Sequence, residues 1–177
     1  MSFLAPSDFV GLVAQSNNEH TTPVIQLYID KFESKYLTSL LGADMYAAFV
    51  ADLTPTPAVV TSVPTDAKFT VIFNSFAIDD TYGSGCQHIS DGMRDMLKYF
   101  IFFEYARDNQ FDFTLTGATK NKYSNSEIAR MVSTNANRNY DLGVKTYQQI
   151  QWYICDNPVP YDYDNYNGIP KEFSSWL

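Results

Sequence analysis

Cysteine, histidine and positive charge are all scarce in this chain, and each scarcity excludes something. Cys86 and Cys155 are the two cysteines, they lie far apart, and no Asn-x-Ser/Thr sequon occurs. That pattern fits a reducing, non-secreted setting with two thiols rather than a disulfide framework. The first residues lack the basic cluster and apolar stretch of a secretory leader, so none is expected. The longest uninterrupted apolar run of the central region, Tyr99 to Phe103, falls far short of the roughly 20 residues a membrane span needs. Twelve Lys and Arg stand against twenty Asp and Glu, and the net charge of -8 repels a phosphate backbone. Sequence-specific nucleic-acid binding is therefore not expected. His20 and His88 are the two imidazoles, which leaves little for acid-base or metal chemistry.

What the chain does have is apolar mass, 45% hydrophobic and 16% aromatic over 177 residues, enough for one domain with a real core and appendages. Ser7 and Asp8 are placed to cap a short helix over 9–13, because their oxygens accept the free amides of a first turn. Thr22-Pro23 opens the clearest helix, and Gly42 can terminate it in a left-handed conformation. Ile25, Tyr28, Ile29, Phe32, Tyr36 and Leu40 fall on one stripe of that helix, with Asp30, Lys31, Glu33, Ser34 and Lys35 on the other side. A shorter helix over 43–53 carries Met45, Phe49 and Leu53 at spacing four. Pro55, Pro57 and Pro64 make 54–66 a loop or irregular arm. Phe69-Thr70-Val71-Ile72-Phe73 is β-branched and aromatic and reads as a short strand or one leg of a hairpin, a candidate for pairing within an assembly.

Residues 79–85 read as a loop. The segment 90–109 is apolar nearly all round, from Met93 to Ala106, so other elements must surround it. Glu104 and Arg107 are spaced to pair on this helix. After a Thr/Gly loop over 114–122, Ser124-Asn125-Ser126-Glu127 reads as a capping box opening a long helix to Ile154. Asn135, Asn137, Asn139 and Gly143 predict a kink or break near its middle. Lys120, Lys122, Arg130, Arg138 and Lys145 face only Glu127 and Asp141 in this region, so a mildly basic helix sits in an acidic protein. Such a face is either simply solvated or docks an acidic neighbour.

The last stretch, 157–177, holds Pro158, Pro160 and Pro170, lacks a helical period, and carries Tyr161, Tyr163, Tyr166, Phe173 and Trp176. Extended, it reaches roughly 70 Å. Aromatic residues without a core of their own need a surface, either this chain's own body or an adjoining subunit.

Chemistry-bearing constellations are few. Cys86-Gln87-His88 near Asp79-Asp80 has ligand types at short spacing but lacks the second pair of a structural zinc site. The stretch from Asp162 to Gly168 imitates a calcium loop with Tyr166 where a ligand belongs and its glycine one place late. Gly83-Ser84-Gly85 has no phosphate-loop lysine and reads as a turn. No cofactor, metal or catalytic residue is expected; a small hydrolase using His88 with Asp79 or Asp80 is the weakest alternative.

In order along the chain, Tyr28-Ile29-Asp30-Lys31-Phe32-Glu33 with Tyr36-Leu37 and Leu40-Leu41-Gly42, then Gly92-Met93-Arg94-Asp95-Met96-Leu97-Lys98-Tyr99-Phe100-Ile101 through Phe103-Glu104-Tyr105-Ala106-Arg107-Asp108, form a recurring pattern. Thr116-Gly117 before Asn125-Ser126-Glu127, the stretch from Tyr140 to Ile154, and Gly168-Ile169 with Phe173 complete it. This pattern resembles the head-tail connector, or neck adaptor, proteins of tailed bacteriophages, particularly the ring proteins of crAss-like phages. The resemblance spans most of the chain but does not include 51–73, and it rests on no catalytic motif. It implies a helical-bundle subunit of a closed, commonly twelvefold ring in the virion neck, beneath the portal protein and against other neck or tail ring proteins. DNA would pass through the channel without sequence-specific binding, and an acidic wall would let it slide.

The expectation is thus a mainly α protein: a bundle of about four helices over 1–156, with a short β-hairpin or extended arm at about 54–75 and an extended C-terminal arm over 157–177. The candidate interface residues are Tyr161, Tyr163, Tyr166, Phe173, Trp176, Phe69, Ile72, Arg130 and Arg138. A non-viral helical adaptor, with no membrane association, is the alternative from another class.

Overall fold

The stripe on the first long helix and the apolar girth of the central one dictate the arrangement of the chain. A computed structural model describes residues 2–10, 13, 21–55, 62–79, 87–108, 111–114, 117–120, 126–161 and 166–173. Among them lie six α-helices: α1 (Thr21–Leu41), α2 (Ala43–Asp52), α3 (Ala67–Phe73), α4 (Gly92–Asp108), α5 (Ser126–Asp156) and α6 (Pro158–Tyr161). Three two-stranded antiparallel ladders accompany them: β1 (Thr54–Pro55) with β2 (Ser62–Val63), β3 (Phe76–Asp79) with β4 (Gln87–Ser90), and β5 (Phe111–Thr114) with β6 (Gly117–Lys120). The protein is mainly helical, and no helix of the described residues is long and apolar enough to cross a membrane.

α4 lies at the centre, packed most extensively on α5 and next on α1. Stacking of Tyr36 on Phe100 and an edge contact of Tyr28 with Tyr105 set α1 antiparallel to α4. Contacts of Phe103 with Tyr140 and of Phe100 with Tyr147 do the same for α5. Met93, Met96, Leu97, Phe100 and Ile101 are buried, as a helix without a polar face requires. Gly42 ends α1 at φ +77, the left-handed conformation that a side chain resists.

Several expectations are corrected. Phe69 to Phe73 is not a strand: Asp66 accepts the Lys68 amide at 3.0 Å as an N-cap, and Phe69, Ile72 and Phe73 enter the core at helical spacing. Burial of three large side chains on one face outweighs the β preference of Val71 and Ile72. The residues 6–8 form a single 3-10 turn rather than the start of an α-helix, and Asp8 instead accepts Arg94 of α4 at 2.6 Å. The loop read at 114–122 contains the strand β6, with Phe111 opposite Lys120, whereas 80–85 of the loop read at 79–85 lie outside the described residues, between β3 and β4.

α5 runs unbroken through its Asn-rich centre. Gly143 is there for close approach: a Cβ at that position would meet the Phe100 ring at 3.0 Å. Asn139 is buried and returns its side-chain amide to the Asn135 carbonyl at 2.9 Å within the unbroken helix. The capping box at 124–127 begins outside the described residues.

Glu33 was assigned by pattern to the solvated side of α1 and is buried instead. It stands one turn from Ile29 and one from Leu37, inside the apolar face. The chain start explains it. Ser2 donates its hydroxyl to Glu33 Oε2 at 2.7 Å, and the Phe3 and Leu4 amides also bond the carboxylate. Phe3, Leu4 and Phe9 are buried, Phe3 making edge contacts with Phe49 and Phe73.

Candidate functional site

The residues chosen from sequence as interface candidates fall into three groups. Phe69 and Ile72 are inside the subunit's own core, and so is Tyr161, whose hydroxyl donates to the Lys68 carbonyl at 2.6 Å. Their apolar surface is already covered within one chain, which corrects their assignment to a contact with a neighbour. Tyr163 and Trp176 lie outside the described residues, as does the side chain of Arg130. Arg138 is exposed on α5, and Lys145 is exposed two turns further along the same face, with Asp141 between them. The basic stripe is thus interrupted by a carboxylate.

Tyr166 and Phe173 belong to the third group, an extended segment, residues 166–173, lying over the seam where the C-terminal end of α1 meets α5. Its backbone is held at both sides. The Ile169 amide donates to the Ser39 carbonyl at 2.7 Å, and Tyr147 and Gln151 donate to the Ile169 carbonyl. Gln148 donates to the Lys171 carbonyl at 2.8 Å, and the Tyr166 hydroxyl donates to the Leu40 carbonyl at 2.7 Å. Gly42 makes room for the segment: a Cβ there would lie 1.7 Å from the Asn167 side-chain oxygen. Of the two surfaces open to this part of the tail, it occupies its own body.

Lys171 points inward, and sequence reasoning missed it. Its ammonium lies 4.6 Å from the Tyr36 ring centre, 5.2 Å from Phe100 and 5.7 Å from Tyr147, one ring from each of α1, α4 and α5. Burial lowers its pKa, Lys35 adds to that, and Glu104 opposes it. Behind the rings, Tyr36 donates to the buried Glu104 at 2.7 Å, and Arg107 lies against the second carboxylate oxygen, as the spacing of three anticipates. Burial, then Glu104, pushes the Tyr36 hydroxyl well above its ordinary range. No periodicity in the tail marks Lys171 as inward-facing.

While its lysine turns in, the segment turns apolar residues out: Ile169 is 60% exposed and Phe173 52%. Trp152 on α5, one turn beyond Gln148, is 44% exposed, and Val159 on α6 is open to solvent as well. At the opposite end of α1, Val24 and Leu27 form a second exposed apolar pair, Leu27 at 67%. From Leu27 to Ser39, whose carbonyl accepts the Ile169 amide, the helix rises about 18 Å, so Leu27 and Ile169 are well separated.

The catalytic constellation does not assemble among the described residues. In the β3–β4 ladder His88 is opposite Ile78, whereas Asp79 is opposite Gln87 and accepts its amide at 3.0 Å. Neighbouring pairs in a ladder point to opposite faces, so His88 and Asp79 are directed apart. Asp80 and Cys86 are outside the described residues, and no group of three or more His, Cys, Asp or Glu able to hold a metal occurs among those described.

Compared with known protein families, with characterised proteins and with solved structures, the chain has no significant match to any.

Proposed function

We propose that the chain is a structural subunit of a homo-oligomeric ring, of the head-tail connector kind that its sequence pattern resembles, placed in a virion neck between portal and tail. On this reading the helical bundle is the ring wall and DNA passes without sequence-specific contact. The observation that carries the reading is that large apolar side chains stay exposed on separate elements, Val24 and Leu27 in the first turns of α1, Trp152 on α5, and Ile169 and Phe173 on the C-terminal segment. A closed ring of identical subunits requires two different patches that fit one another, whereas a symmetric dimer needs one self-complementary patch. Exposed apolar residues are common singly, and clustered ones mark interaction surfaces.

The pattern blocks support it further, since those around Ile29, Phe100 and Tyr147 supply the packed centre that any such subunit needs. The acidic balance suits a channel wall that DNA slides past. The test is negative-stain imaging and light scattering of the purified full chain, alone and with portal rings. Ring-shaped oligomers or portal decoration are expected, and Leu27→Ser or Phe173→Ser should abolish them. A chain that stays monomeric or dimeric at high concentration and ignores portal rings overturns the reading in favour of a helical adaptor.

A further inference from the structure

The C-terminal segment is built inside out. An extended strap lying on a protein ordinarily buries its apolar side chains and leaves its charges in water. Here Ile169 and Phe173 face solvent while Lys171 enters the seam. A methionine or leucine would fill that space without losing hydration, so the ammonium calls for a specific account.

Its surroundings provide one. Ring centroids from three helices lie within about 6 Å of Nζ, and because Tyr36 and Phe100 are stacked parallel, the ammonium lies over the face of one of that pair and nearer the edge of the other. Tyr36 and Phe100 are stacked at 4.4 Å with 9° between planes, and Phe100 meets Tyr147 edge-on, so the walls are fixed against one another. The carboxylate of Glu104, itself paired with Arg107, lies behind Tyr36 and favours the ammonium, against burial and Lys35, which oppose it. Among the described residues no acceptor is in hydrogen-bond range of the Lys171 ammonium, and its surroundings are the three aromatic rings.

We propose that Tyr36, Phe100 and Tyr147, backed by Glu104, form a binding site for an alkylammonium group, filled in this chain by its own Lys171, which thereby latches residues 166–173 onto the helices. The ligand class is a primary ammonium on a flexible aliphatic stem, and a neutral group of the same shape is a poor substitute. The inference is independent of the ring reading, because every contact it uses lies within one subunit.

Chemical rescue tests it on the full chain. In Lys171→Ala, hydrogen exchange at the Ile169 amide, which bonds the Ser39 carbonyl, should accelerate about tenfold. Excess n-propylammonium should restore protection, and n-propanol at the same concentration, with sodium chloride matching the ionic strength, should not. Lys171→Met, which fills the space without charge, should remain less protected than the native chain. On the native chain n-propylammonium should compete with Lys171 and accelerate exchange at Ile169. Protection by Met equal to that by Lys, equal rescue by amine and alcohol, or no response to the amine in either chain would each overturn the site.

Discussion

Residues 2–9 and residues 166–173 dock on the helices by opposite means, the first against α1 to α4 and the second over α1, α4 and α5. Residues 2–9 insert Phe3, Leu4 and Phe9 into the core and satisfy a buried carboxylate, Glu33, with a hydroxyl and backbone amides. Residues 166–173 insert a cation, spread hydrogen bonds along their backbone, and keep Ile169 and Phe173 outside. The first end is part of the hydrophobic core. The second is a strap laid over a finished one. Burial of apolar surface and a set of polar contacts differ severalfold in what they contribute per residue, so the two ends should respond to mutation very differently.

The largest effect is expected at the first end. Phe3→Ala removes a ring enclosed by Phe49 and Phe73 and should cost about 3 to 4 kcal/mol, read as a lower urea midpoint at unchanged slope. A loss below about 1 kcal/mol would erase the contrast. Gly42→Ala comes next, at about 2 kcal/mol, because it forces a side chain to φ +77 and into Asn167. Adding Asn167→Ala should recover the steric part and leave the backbone part, which separates the strap's contribution from that of the helix end.

A pH series sharpens the contrast without mutation. Burial raises Tyr166 from 10.0 to about 12, so its share of stability is complete below pH 10 and disappears as pH rises towards 12. Tyr147, beside it, is raised for the same reason. Strap release, followed by proteolysis or by exchange at Ile169, should therefore lead global unfolding in alkali. Glu33 is also raised, by burial against the bonds from Ser2, Phe3 and Leu4, so its neutral form suits the fold better. Its contribution is greatest below pH 4.5 and declines as pH rises through the folded value; mild acid should not detach the first end.

Smaller again, Tyr166→Phe deletes the bond to the Leu40 carbonyl and should cost about 1 kcal/mol. Ile169→Ser and Phe173→Ser close the series: each should alter the stability of the chain by no more than about 0.5 kcal/mol, while disrupting the proposed ring. A large loss of monomer stability from either would mean that these side chains belong to the fold and not to a contact surface.

The pattern of what sequence reveals follows the same division. α1 was legible because large apolar residues recur at the helical period over many turns, and α4 because apolar residues cover nearly its whole circumference. Glu33 occupied a readable core position, one turn from Ile29, but its charge argued against burial until the chain start was seen to supply donors. α3 was misread because seven residues are too few for a period to overrule β-branched composition, and the deciding contacts of Phe69 with Phe49 come from α2. Lys171 could not be found by any local rule, since its three rings lie on three separate helices and its own neighbours carry no period. The resemblance blocks fall on α1, α4 and α5 and take in Gly168, Ile169 and Phe173 of the strap, but not Lys171.

The hydrogen bond from Tyr166 to Leu40 joins residues 126 apart in the chain. Contacts this distant in sequence pay a heavy loop-closure cost before they gain anything, whereas α4 and α5 are near neighbours along the chain. The α4–α5 pair is therefore expected to form early in folding, with residues 166–173 closing over the seam late. Until then the seam between α1 and α5 is uncovered, so the order of folding, rather than the finished architecture, sets when the chain first presents a completed surface.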